Sequence, residues 1–173
     1  MIRQIRRSTG FTLIELMTTV VVVTVVLAVG IPSISNMRNR SQLASVTNKL
    51  TGAVNFARSE AVVQGDFVGV VASGTWSDGW NVFNGTFTPS NTFTPVGPPI
   101  RVFSQPVAGV TVVPTSADVK VIFRPLGNAN VADCFDISAP GGSVRSVVLP
   151  PSGRSQVCRV DCATVIATPA NCN

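Results

Sequence analysis

This 173-residue chain contains no histidine and no tyrosine. The first absence removes the commonest general base and the usual nitrogen ligand of zinc; the second removes a common proton donor. Charge is sparse, at 12% of residues. Neither a GxxxxGK[ST] loop nor a GxGxxG fingerprint occurs, so nothing marks a nucleotide site. The four cysteines form no CxxC pair, their closest spacing being Cys158-x3-Cys162. No catalytic constellation, resident metal or cofactor is expected. Asp133 and Asp136, which bracket Cys134, and Asp161, between Cys158 and Cys162, read as loop residues that favour solubility.

The N-terminus is where this sequence is most specific. Met1 to Gly10 is a short basic leader with Arg3, Arg6 and Arg7. An apolar run then lasts from Phe11 to Ile31, broken by Glu15, and Pro32 closes it. As a helix this run rises about 31 Å at about 1.5 Å per residue, enough for a bilayer core of about 30 Å. Its many valines would favour strand in water, but in lipid only a helix satisfies the backbone of a lone segment. A carboxylate in such a run needs a partner, which makes Glu15 a functional candidate. An ordinary secretory signal is the alternative, with Ala28-Val29-Gly30 as its small-x-small cleavage site. The early glutamate and the length of the run count against it.

Gly10-Phe11-Thr12-Leu13-Ile14-Glu15, with the basic leader before it and Pro32 after it, resembles the class III signal sequence of type IV pilins and type II secretion pseudopilins. The resemblance implies cleavage after Gly10 by prepilin peptidase and methylation of the new N-terminus, Phe11. Glu15 and Pro32 then become the fifth and twenty-second mature residues, where pilins commonly place a glutamate and a proline. In that family a subunit's glutamate pairs with a neighbour's N-terminal amine during filament assembly. Loss of the leader leaves 10 basic against 8 acidic side chains. The leader arginines hold the N-terminus in the cytoplasm by the positive-inside bias, which puts the rest in the periplasm.

Beyond Pro32 the apolar residues Leu43, Val46, Leu50, Ala53, Val54, Ala57 and Ala61 recur at steps of three and four, predicting one amphipathic helix to Gln64. Gly65 is its natural stop, and Pro32 should bend the rod. From Phe67 the period changes to two. Strands are predicted at 67–72, 80–83, 100–103, 110–113, 119–124, 134–137, 144–149 and 155–160, punctuated by Gly and Pro. The stretch 84–99 holds Thr-Phe-Thr-Pro twice, at 86–89 and 92–95, and reads as a long hairpin loop. The fold class is therefore α+β: a lollipop with a long N-terminal helix packed on an antiparallel head. Its organisation is leader 1–10, transmembrane and filament-core helix 11–32, amphipathic helix 33–65, and a β-rich periplasmic head 66–173.

Cys134, Cys158, Cys162 and Cys172 in an oxidising periplasm read as two disulfides. Three connectivities exist for four cysteines. The expected one joins Cys134 to Cys158, both on predicted strands, and lets Cys162–Cys172 staple the tail.

Three internal segments narrow the resemblance: Ala57-Arg58-Ser59-Glu60-Ala61-Val62, Phe123-Arg124-Pro125-Leu126-Gly127 and Ser152-Gly153-Arg154. In this order they look like the GspH/FimT family of minor pilins and pseudopilins. The resemblance implies a non-enzymatic minor pilin at or near a filament tip, whose partners are other pilins, prepilin peptidase and an inner-membrane assembly platform. A type II secretion pseudopilin is the alternative. Some relatives capture DNA through a Gly-Arg-x-Arg turn. Here that turn reads Gly153-Arg154-Ser155-Gln156, so only weak, salt-dependent contact is expected, from Arg154 with Arg145 and Arg159 beside it.

Overall fold

The structure, a computed structural model, describes residues 10–88, 92–104 and 109–172, with their side chains except at 29–34, 36 and 171. The first helix, α1, runs from Leu13 to Gln64. The chain divides into two units, one ending at Arg38 and the other beginning at Asn39.

In the first unit, Thr12 starts the helix. Its Oγ1 accepts from the Glu15 N–H at 3.3 Å, which satisfies one of the donors every helix N-terminus leaves open. Thr12-x-x-Glu15 has the pattern of a capping box, and an acidic residue in the first turn suits the helix dipole. The hydroxyls of Thr18, Thr19 and Thr24 donate back to the carbonyls of Glu15, Leu16 and Val20. Every large apolar side chain from Phe11 to Leu27 is at least 54% exposed. Among the described residues no helix is long and apolar enough to cross a membrane. Described side chains break off between Ala28 and Ser35, and the helix from Leu13 to Ala28 rises about 24 Å against a bilayer core of about 30 Å. The bend expected at Pro32 falls among side chains outside the description.

The second unit places the expected stripe in its core. Leu43, Val46, Leu50, Ala53, Val54, Ala57 and Ala61 are all buried, and helical spacing gathers them on one face. Gly65, at φ +67°, ends α1. Among the described residues nine strands follow: β1 (Phe67–Ser73), β2 (Thr75–Phe87), β3 (Phe93–Pro95), β4 (Arg101–Ser104), β5 (Thr111–Pro114), β6 (Lys120–Phe123), β7 (Asp133–Ala139), β8 (Ser143–Leu149) and β9 (Gln156–Cys158). A short helix, α2 (Cys162–Ala167), and a 3-10 turn at Pro169–Asn171 close the chain.

The strands form two antiparallel sheets. One has the order β3-β2-β1-β6, with β4 also paired to β2; the other is β5-β7-β8-β9. Ser77 on β2 joins them, its hydroxyl accepting from the Val112 N–H on β5 at 3.0 Å and lying 3.2 Å from that residue's carbonyl. Buried residues of both sheets, among them Val70, Trp80, Phe123, Phe135 and Leu149, pack with the α1 stripe into one cluster. Trp76 sits edge-on to Phe135 with centroids 4.8 Å apart, and its Nε1 donates to the Asp118 carbonyl at 3.0 Å.

Two readings of the sequence need correction. Part of the expected 84–99 loop is ladder: β2 continues to Phe87, and the two Thr-Phe-Thr-Pro copies face each other, Thr86 opposite Thr94 and Phe87 opposite Phe93. Residues 89–91 lie outside the description. The tail, expected to be held by a Cys162–Cys172 staple, begins instead with α2 at Cys162. Asp161 caps it, accepting from the Thr164 N–H at 3.1 Å.

Candidate functional site

Gly10 and Phe11 are exposed, and a Cβ built on Gly10 would meet no atom within 4 Å. No contact among the described residues demands glycine there. Glu15 is exposed in the first turn of α1. The leader arginines Arg3, Arg6 and Arg7 lie outside the described residues.

All four cysteines are oxidised, but not in the expected pairing. Cys134 joins Cys162 with Cα atoms 5.8 Å apart, and Cys158 joins Cys172 at 4.6 Å. The reason lies in strand order. Cys134 on β7 faces Val148, and Cys158 on β9 faces Ser146, so β8 stands between the two cysteines. Two strand spacings are about 9–10 Å, beyond the roughly 7 Å that a disulfide spans. The α2 N-terminus instead brings Cys162 to β7, where the Asp136 carboxylate accepts from its N–H at 2.7 Å.

The three aspartates near the cysteines do more than solubilise loops. Asp133 is buried and accepts from the Ser116 hydroxyl and N–H and from the Cys134 N–H. Asp136 and Asp161 hold α2 in place, as described. Hydrogen bonds from the Thr164 side chain and backbone keep the Asp161 carboxyl below the usual carboxylate range. Bonds from the Thr75 side chain and backbone do the same for Asp78.

The three internal motifs, far apart in sequence, converge on one cluster. Arg58 Nε on α1 donates to the Gly127 carbonyl at 2.8 Å. The turn before Gly127 closes through its N–H to the Arg124 carbonyl at 2.7 Å, and the turn before Gly153 through its N–H to the Pro150 carbonyl at 2.9 Å. The two turns are joined by the Ala129 N–H, which donates to the Pro151 carbonyl at 3.0 Å. Gly153 is buried at φ +75° against the Gly127 carbonyl and Arg58; a Cβ there would overlap the carbonyl and crowd the Arg58 side chain. Ser155 Oγ reaches Asn55 Oδ1 on α1 at 3.0 Å. Arg154 is thereby held outward between two anchored residues, and it is exposed.

The three arginines expected to act together do not share one end of the β8–β9 ladder. Arg145 and Arg159 flank the Ser146–Cys158 pair at one end of the β8–β9 ladder, whereas Arg154 lies in the turn at the other end. Five residues of extended chain separate Arg154 from Arg159, roughly 15 Å. Arg145 and Arg159 instead meet Arg40 of α1 around a hollow of about 500 Å³. Arg40 carries no site signal in the sequence, because nothing in its helix links it to β8.

An N-terminal helix with an uncovered apolar segment, a buried stripe further along it and two antiparallel sheets define a type IV pilin-like subunit. The family model described as type II transport protein GspH matches residues 46–157, and the prokaryotic N-terminal methylation motif matches residues 5–31. The chain belongs to the GspH family. Among solved structures it is similar to the type IV minor pilin FimU of Pseudomonas aeruginosa PAO1, at 23% identity and a TM-score of 0.58 over 70% of this chain and 91% of that one. It is also similar to the minor pseudopilin EpsH of the Vibrio cholerae type 2 secretion system, at 11% identity and a TM-score of 0.50 over 67% and 94%. At these identities the likeness establishes the fold. None of the curated sequences compared with it matches significantly.

Proposed function

We propose that this chain is a minor pilin of a type IV pilus, cleaved after Gly10, methylated on Phe11, and incorporated at or near the filament tip to prime or adapt assembly. The observation that carries this reading is the joining of a methylation motif to a pilin-fold head in one chain. The uncovered apolar face of residues 11–27 supports it. A helix apolar on all sides belongs in lipid or in a bundle of its own kind, and a patch of this extent is not left bare on a monomer. Threonine hydroxyls bonded to their own helix suit the same surroundings. The open space around Gly10 also fits, because the glycine then answers to the peptidase and not to the fold.

Assembly proceeds by exchange of environments. The anchored subunit waits in the inner membrane with its head in the periplasm. Glu15 of one subunit neutralises the Phe11 amine of a neighbour, an attraction strengthened by low dielectric, and the apolar helices leave lipid for the filament core. No step requires catalysis by this chain. A second reading, a minor pseudopilin of type II secretion, is favoured by the description of the matched family model.

Substitution of Glu15 tests the mechanism. A Glu15→Val chain should remain folded and membrane-anchored yet be missing from filaments sheared from cells that also carry the wild-type subunits. Its recovery there at wild-type levels would overturn the assembly role of Glu15.

A further inference from the structure

Arg40 on α1, Arg145 on β8 and Arg159 just past β9 line one hollow of about 500 Å³, together with Leu43, Gly142 and Ser143. The fold builds this convergence deliberately enough to fasten it: Asn39 Nδ2 donates to the Pro140 carbonyl at 2.8 Å, which holds the β7–β8 turn against α1. Among the described residues none of the three guanidinium groups has a hydrogen-bond or ion-pair partner. The nearby carboxylates are engaged elsewhere, Asp136 with the Cys162 N–H and Asp161 with the Thr164 N–H. Three like charges around one concavity repel each other and raise its positive potential. An anion relieves that repulsion, and planar guanidiniums suit the oxygens of a phosphate.

Connectivity says where such an anion would come from. Arg40 follows Ile31, the end of the apolar run, by nine residues, at most about 32 Å of chain. That short tether keeps Arg40 within reach of the lipid headgroups, where basic residues beside an anchor attract anionic lipid. Nucleic acid has no comparable tether, and Arg154 lies at the other end of the β8–β9 ladder.

We propose that this hollow binds the phosphate headgroup of an anionic phospholipid while the subunit waits in the membrane, holding the head down on the bilayer until assembly withdraws it. The proposal rests on the anchored-subunit reading above. The full-length chain should be placed in nanodiscs of phosphatidylcholine alone, or of phosphatidylcholine mixed with phosphatidylglycerol, and amide hydrogen exchange followed at physiological salt. Exchange in segments 140–145 and 157–160 should be severalfold slower in the mixed discs. An Arg145→Gln/Arg159→Gln chain should lose that difference. A Lys49→Gln/Arg154→Gln chain, which loses the same charge elsewhere, should keep it.

Equal exchange in both kinds of disc would overturn the proposal, as would an unchanged response in the Arg145→Gln/Arg159→Gln chain. Protection in neutral discs by inorganic phosphate alone would assign the hollow to a free anion, and equal protection there by a short DNA duplex would assign it to nucleic acid; either result overturns the lipid assignment. Failure of the chain to stay in discs of either kind would count against the anchor and not the hollow. Sedimentation with phosphatidylglycerol vesicles then decides: binding abolished by Arg145→Gln/Arg159→Gln sustains the proposal, and absence of binding ends it.

Discussion

Arg58 Nε and the Gly127 carbonyl, 69 residues apart, meet at 2.8 Å, and Gly153 closes over the bond. The relationship explains why three short motifs accompany one another in this chain. One supplies a donor from α1, one an acceptor at the end of β6, and one a residue without a side chain to cover them. The cluster fixes the turn that carries Arg154, so its role is to position and to stabilise.

Truncating Arg58 to alanine should destabilise the protein by about 1.5–3 kcal/mol, the usual worth of a hydrogen bond with a charged donor. Gly153→Ala should destabilise by more than about 1 kcal/mol, because φ is positive there and a Cβ would strike the Gly127 carbonyl. Gly52→Ala is the counter-test. Gly52 lies inside α1 with open space around it, so alanine should stabilise by up to about 1 kcal/mol. Urea midpoints of the three variants check the set. A neutral Gly153→Ala would show that the packing around Arg58 is looser than described.

Non-reducing peptide mapping should recover Cys134 linked to Cys162 and Cys158 linked to Cys172. Removing the second bridge with Cys158→Ser/Cys172→Ser should cost about 3 kcal/mol, as expected for a loop of this length. A peptide joining Cys134 to Cys158 would require β8 to lie elsewhere in the sheet, and would contradict the topology.

Asp161 connects stability to pH. Its folded-state pKa is depressed by the Thr164 bonds, so the stabilisation is present above the unfolded value of about 3.9 and is lost as pH falls through the lower folded value. Asp161→Asn should therefore melt below the wild type at neutral pH, with the gap narrowing under acid. Melting temperatures over a pH series check this. A gap that widens toward acid would give the wrong sign for a capping carboxylate.

Much of this fold was legible because the elements announce themselves locally. The stripe from Leu43 to Ala61 obeys one helical period, and the strand segments obey another, with glycine at the stop of α1. The disulfide pairing was not legible. It depends on β8 lying between Cys134 and Cys158, and strand order is a long-range property that alternation does not encode. The tail was misread because Ala, Thr and Asn mark no strong period, although Asp161 with Thr164 three residues on is a capping signal. The paired Thr-Phe-Thr-Pro copies were visible as a repeat, but their facing register required the hairpin. At the candidate site, Glu15 and Gly10 stood out because their chemistry is local to one segment. Arg40 did not, since only tertiary packing of α1 brings it beside Arg145 and Arg159.

The mass of the mature protein tests the central claim most directly. Extracted from membranes of cells that carry prepilin peptidase, the chain should have the mass of Phe11–Asn173 with two disulfides and one added methyl group at its N-terminus. A product beginning at Ile31 would instead make residues 1–30 a secretory signal, and the filament-subunit account would fall with it.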